Sequence, residues 1–233
     1  MRKEEADWIA GCLRTHVLNS PPDPGHARPV VLHLGSGDVE AQKIQKPWIH
    51  ARTIAPLEQA GFEVVHSDLR PSRGVDLVGD LTDPAFHAVL RRLQPRLVYC
   101  CNVLEHLPRN ILRQIPGILA SILGQGAYLL ITVPLSYPYH ADPIDTMYRP
   151  NPEQLASFFP GFRVVDKAVV DSETYGEEFR KGSFTRRARK VLRPLFPFVR
   201  PRRWLSHVHR FFWLRKPYRH SCILLQRCGP DGS

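Results

Sequence analysis

The chain has five cysteines but no Cys-x-x-Cys pair, and two of the five, Cys100 and Cys101, are adjacent. That spacing supports neither a disulfide framework nor a zinc ribbon, and it fits reduced thiols in a cytosolic setting. No run of about 18 consecutive apolar residues occurs, so no segment reads as a membrane span. The opening stretch, MRKEEADWIAGCLRTHVLNS, is charged and amphipathic and lacks the apolar centre of a secretory signal. Acids are missing from one place in particular. Phe179 to Arg219 holds 14 Lys/Arg and no Asp/Glu, so the net charge of +10 belongs to one segment and the remainder is mildly acidic. No internal repeat is present.

A length of 233 residues with 43% hydrophobic content is enough for one sizeable core. The amphipathic opening predicts a helix, and NSPPDPGHARP after it reads as a connector. VVLHL then has the continuous apolar character of a strand buried on both faces. Further strands are predicted over 62–66, 75–79, 95–101, 127–134, 162–170 and 221–228, with helices over 51–61, 83–93, 109–123 and 152–159 between several of them. This alternation predicts an α/β fold with a largely parallel sheet covered by helices on both faces. It divides the chain into an N-terminal helix and connector (1–28), a core (29–178), a basic aromatic insertion (179–218), and a last strand and tail (219–233).

Open sheets of this kind bind ligands beyond the carboxyl ends of their strands. Gly35, Ser36 and Gly37 follow the first strand, Ser67 and Asp68 the second, Asp80 and Leu81 the third, and Asn102 and VLEHL the fourth. A Gly-x-Gly turn alone is common and often only permits tight packing. Acids at the next two strand ends favour a ligand, and Asp68 is positioned to accept from both hydroxyls of a ribose. A pyrophosphate is disfavoured: Glu40 stands where a third glycine would, and with Asp38 it would repel phosphate. A ribose-bearing ligand with a positive charge suits these acids better.

On VLHLGSG, GFEVVHSDL, VDLVGDLTD, LVYCCNVLEHLPR and GAYLLITVP, the chain resembles the class I S-adenosylmethionine-dependent methyltransferases, type 11-like, over Pro29 to Val170. The resemblance implies a Rossmann-like, seven-stranded, mostly parallel sheet and S-adenosyl-L-methionine as cofactor. It implies that Gly35, Ser36 and Gly37 line the methionine portion, that Asp68 holds the ribose with Leu69 beside it, that Asp80 and Leu81 face the adenine, and that Asn102 lies by the cofactor. The chain departs from the pattern at His33, which replaces the usual acid, and at Asp38-Val39.

Methyl transfer needs an aligned acceptor and, for a hydroxyl or amine, removal of a proton. VLEHL offers Glu105 and His106, and VPLSYPYHADPIDTMYRP offers Tyr139, His140, Asp142, Asp145 and Arg149. His140 is the first candidate for general base, oriented by Asp142 or Asp145, with Arg149 binding an anionic part of the acceptor. The competing structural reading pairs Asp145 with Arg149 as a loop lock and makes His140 and His106 capping residues. No metal is expected, because Asn102 replaces the first acid of the Glu-x-x-Glu-His pattern that some related enzymes use for a divalent ion.

In the basic insertion, arginines alternate with Phe, Leu and Trp, as in segments that lie on anionic membrane surfaces. Residues 183–216 are therefore expected to make peripheral membrane contact. A nucleic-acid partner needs fewer bulky apolar groups, and a helical lid over the acceptor is the bland alternative. The expected function is O-methylation of a small-molecule, sugar or lipid-linked glycan acceptor near the cytoplasmic membrane face. The alternative is a catalytically silent methyltransferase-like adaptor that binds through its basic segment.

Overall fold

The structure, a computed structural model, describes residues 1–19, 28–139, 144–181 and 213–229. Strands β1 (Val30–Leu34), β2 (Glu63–Asp68), β3 (Leu77–Val78), β4 (Leu97–Cys101), β5 (Tyr128–Ser136), β6 (Phe162–Thr174) and β7 (Pro217–Arg227) form one sheet, ordered β3-β2-β1-β4-β5-β7-β6. The first five strands are mutually parallel, and β7 runs antiparallel to both of its neighbours. This is the expected α/β architecture, a seven-stranded and mostly parallel sheet.

Residue alternation along the strands divides the core into two layers. Leu32, Leu34, Val98, Cys100, Leu129, Ile131, Ile223 and Leu225 pack on one face with the helices Pro84–Arg92 and Ile115–Ile122. Val31, Leu97, Tyr99, Cys101, Leu130 and Leu224 pack on the other with Leu57, Phe62 and the N-terminal helix Lys3–Cys12. Covering on both faces is why these strands read as unbroken apolar runs.

Element boundaries depart from the expected ones for local reasons. β3 is only two residues long and pairs with β2 alone, at the sheet edge. β6 and β7 extend each other as a long antiparallel pair, so β7 begins at Pro217. The helix expected over 109–123 breaks into Arg109–Leu112 and Ile115–Ile122, because Pro116 in the first turn of the second has no N–H to offer the preceding turn. Pro56 likewise separates a π turn over His50–Ile54 from the helix Ala55–Gln59.

The N-terminal helix is part of the core. Ile9, Cys12, Leu13 and Val17 are buried with the strand residues of that face, and Glu5 is fully buried as well. A helix that buries a carboxylate must supply it with partners, and those partners lie at the strand ends.

Candidate active site

The turn after β1 is shaped by two glycines in the left-handed region, Gly35 at φ 65° and Gly37 at φ 63°. A Cβ on Gly35 would lie 2.5 Å from Val103 Cγ2, so this position is closed to any side chain. Asp68, at the end of β2, accepts from the Gly37 N–H at 2.8 Å through Oδ2 and from the Arg70 N–H at 3.0 Å through Oδ1. The Gly79 N–H donates to the Asp68 carbonyl at 3.1 Å and ties the end of β3, and with it Asp80 and Leu81, to the same corner. Asp80 caps its own turn through Thr82, Leu81 packs against the core, and Leu69 is 62% exposed beside Asp68. The structure thus gathers Gly35, Ser36, Gly37, Asp68, Leu69, Asp80 and Leu81 at adjoining strand ends.

Two departures from the motif pattern have structural explanations. His33 pairs with its cross-strand neighbour His66, with Nδ1 atoms 3.0 Å apart, and packs edge-on against Tyr99. Burial and the neighbouring His66 push it down to about 3, so it is a neutral core residue below the turn. Asp38 caps the helix Val39–Gln45 by accepting from the Ala41 N–H at 2.7 Å, and it pairs with Arg73.

Asn102 begins the second half of the site. Its backbone is left-handed, at φ 55°, and its side chain donates to Glu5 Oε1 at 2.7 Å. Thr132 of β5 donates to the same oxygen at 2.5 Å, and His220 of β7 lies 3.8 Å from Oε2. Burial raises the Glu5 carboxyl, but His220, the terminal ammonium, Thr132 and the Arg2 N–H outweigh it and hold the group below the usual carboxylate range. His220 is itself buried, which lowers its pKa against the pull of Glu5, and its Nδ1 has no hydrogen-bond partner.

Beside this cluster opens a cleft of about 580 Å³, lined by Asn102, Glu105, Pro134, Tyr137, Tyr218 and His220 together with the start of the N-terminal helix. Glu105 is fully buried, and neither carboxylate oxygen has a hydrogen-bond partner. Burial pushes its pKa up to about 8, against a smaller opposing pull from Arg149. A carboxyl that changes charge near neutral pH at the wall of a cleft can exchange a proton with what enters it.

The remaining candidates divide. His106 is held through Nδ1 by the Ile144 carbonyl and lies 3.8 Å from Glu105. Arg149 donates to Asp145 at 2.6 Å in an ion pair whose side chains are 12% and 0% exposed. Tyr139 is exposed, and His140 and Asp142 lie outside the described residues. Sequence reasoning missed Glu5 and His220. Nothing in KEEAD distinguishes Glu5 from its solvated neighbours, and His220 precedes the apolar run that marks its strand.

No protein-family model matches the sequence, and no curated protein is similar enough to count as a relative. Solved structures do match. An S-adenosylmethionine-dependent methyltransferase from Archaeoglobus fulgidus aligns at TM-score 0.51 and 16% identity, covering 95% of this chain and 94% of its own. A candidate sarcosine dimethylglycine methyltransferase from Galdieria sulphuraria aligns at TM-score 0.57 and 12% identity, covering 96% and 84%. The chain has the class I methyltransferase fold. That fold alone leaves the reaction open, since the cyclase SpnF shares it at TM-score 0.50 and 11% identity, covering 95% of this chain and 80% of its own. Function must be argued from the site. Among the described residues of this class I methyltransferase fold, no helix is long and apolar enough to cross a membrane.

Proposed function

We propose that the chain is an S-adenosylmethionine-dependent methyltransferase that transfers the methyl group to a small-molecule, sugar or lipid-linked glycan hydroxyl. The observation that carries this reading is the convergence of Asp68 on a turn of two left-handed glycines, with the Gly37 N–H donating to its carboxylate. Each Asp68 oxygen has one backbone donor and keeps acceptor capacity for a ribose hydroxyl. The surroundings fit the cofactor: the Ser36 hydroxyl is buried without a hydrogen-bond partner, and Leu69 leaves an apolar surface uncovered next to Asp68.

When bound, the cofactor supplies an electrophilic methyl on a sulfonium. The chain's own task is to hold the acceptor in line with it and to take up a proton. Asn102 lines the cleft and the next residue, Val103, lies against the Gly35 turn, so the acceptor is assigned to the cleft side. There Glu105 carries a carboxyl whose pKa of about 8 suits a base working near neutrality. His220, buried 3.8 Å from Glu5 and without a hydrogen-bond partner at Nδ1, is a second titratable group in the cleft wall. Tyr137 and Tyr218 give the acceptor flat, partly apolar walls.

Calorimetric titration with S-adenosylmethionine and with its demethylated product is expected to give one site per chain. Asp68→Ala should weaken both ligands about tenfold to a hundredfold, the value of hydrogen bonds to a charged group. No binding by well-folded wild-type protein would falsify the reading and leave the adaptor.

The membrane part of the proposal rests on the composition of residues 183–216, of which 183–212 lie outside the described residues, while Trp213 is buried against Tyr175 and Tyr218 and belongs to the protein's own packing. Flotation with anionic liposomes is expected to weaken with salt and to vanish when 183–216 are deleted. Failure to float at low salt removes this part.

A further inference from the structure

Away from the cleft, three metal-ligating side chains from three elements converge. Cys12 ends the N-terminal helix, His16 lies in the π turn Leu13–Val17 that follows it, and Asp166 projects from β6. Their ligand atoms all lie within 4.8 Å of one another, and His16 Nε2 is 3.7 Å from Asp166 Oδ2. A tetrahedral zinc ion, with bonds of about 2.0–2.3 Å to sulfur, nitrogen and oxygen, sets its ligand atoms about 3.3–3.6 Å apart. Small adjustments of three side chains close the difference.

Two local irregularities produce the convergence. The helix widens where the Leu18 N–H bonds to the Leu13 carbonyl, five residues back, which turns His16 relative to Cys12. On the facing strand, the register against β7 shifts between Val164 and Asp166, and this bulge sets the direction of Asp166. π turns and β-bulges re-aim side chains and recur at functional sites. Here one of each aims a ligand at the same point.

We propose that Cys12, His16 and Asp166 form a zinc site that fastens the N-terminal helix to the edge hairpin of the sheet. The donor set, one thiolate, one imidazole and one carboxylate, is of the type zinc prefers. The Cys12 thiol, 3% exposed, faces the protein interior, while His16 and Asp166 are 27% and 39% exposed and leave a path for the ion. Binding forms bonds to sulfur, nitrogen and oxygen and releases the thiol proton to solvent. A water completes the fourth position from the open side. The same helix carries Glu5 into the candidate active site, so the ion would brace that residue from its far end. The site is independent of the methyltransferase reading.

The test is metal binding by the chelator-stripped full chain. One equivalent of Zn²⁺ per chain is expected, with a rise in melting temperature, and Co²⁺ in its place should give a thiolate charge-transfer band. Cys12→Ser should abolish that band and weaken Zn²⁺ binding by more than the roughly 10–100-fold that loss of an outer-shell partner costs. His16→Gln, at a more exposed position, should weaken it comparably without loss of fold, and Cys228→Ser should change neither. An absence of stoichiometric Zn²⁺ binding overturns the proposal. So does binding that survives in both Cys12→Ser and His16→Gln, or Co²⁺ binding without the thiolate band.

Discussion

Glu105→Gln is expected to make the protein more stable at pH 8 while making it a poorer enzyme. The Glu105 carboxyl is fully buried without a hydrogen-bond partner, and its pKa rises from an ordinary 4.5 to about 8. In the unfolded chain the group loses its proton near 4.5, whereas in the folded chain it keeps the proton up to about 8. Unfolding between those values therefore releases a proton, and stability falls as pH rises through the window. The contribution is complete below the unfolded value and is lost once pH passes the folded one. A shift of this size corresponds to roughly 5 kcal/mol.

Glutamine has the same shape and stays neutral, so the variant is exempt from this loss. Urea melts at a series of pH values should show the two proteins within about 1 kcal/mol near pH 5. They should then diverge until the variant leads by about 4 kcal/mol near pH 8. Parallel pH curves would sink the argument, because they would mean that Glu105 is solvated or paired in solution. If Glu105 is the base, turnover should drop about a hundredfold or more in the variant while cofactor affinity is unchanged. A site that gives up stability to hold a reactive group shows this opposite movement of stability and rate.

The cofactor side of the site is legible in the sequence because it follows from chain order alone. A strand buried on both faces must be an apolar run, and whatever follows it lies at the ligand end of the sheet. Gly35, Gly37, Asp68 and Asp80 are found in this way. The acceptor side depends on which distant surfaces meet. Glu5 belongs to a helix whose charged residues look alike in sequence, and only packing against β5 and β7 makes it the buried one. His220 becomes a wall of the cleft because the last strand inserts antiparallel between β5 and β6. VLEHL marks Glu105 as a candidate but carries no sign of its isolation, which comes from the segment folded over it. His33 is the converse case. In sequence it is a defect in a motif, and in the fold it is half of a neutral histidine pair facing Tyr99.

In the segment folded over Glu105, Arg149→Ala should destabilise the protein by about 3 kcal/mol. The Arg149 guanidinium meets an Asp145 carboxylate that is 0% exposed. Asp145 also accepts from the Met147 N–H at 2.9 Å, which supports a left-handed residue at φ 57°. One residue earlier, Thr146 donates twice to the Glu105 carbonyl, through its N–H at 2.8 Å and its hydroxyl at 2.9 Å. Just beyond, the Pro150 carbonyl accepts from Ser221 at 2.6 Å. Removing the guanidinium takes its 2.6 Å ion-pair partner from a buried carboxylate at the centre of this cover, and such losses exceed the net worth of the intact pair. For a chain of this length the melting temperature should fall by roughly 6–12 °C. Asp145→Asn removes the buried charge itself, so the double variant should recover much of the loss, a coupling that a double-mutant cycle measures directly. Strictly additive effects would mean that the pair does not lock the loop. Arg149 is also a positive charge opposing the rise of the Glu105 pKa, so Arg149→Ala should shift the upper end of the pH-dependent decline of stability to higher pH. An unshifted decline would separate the loop from the candidate base, and a shifted one would make the ion pair a setting of the site's acidity as well as its cover.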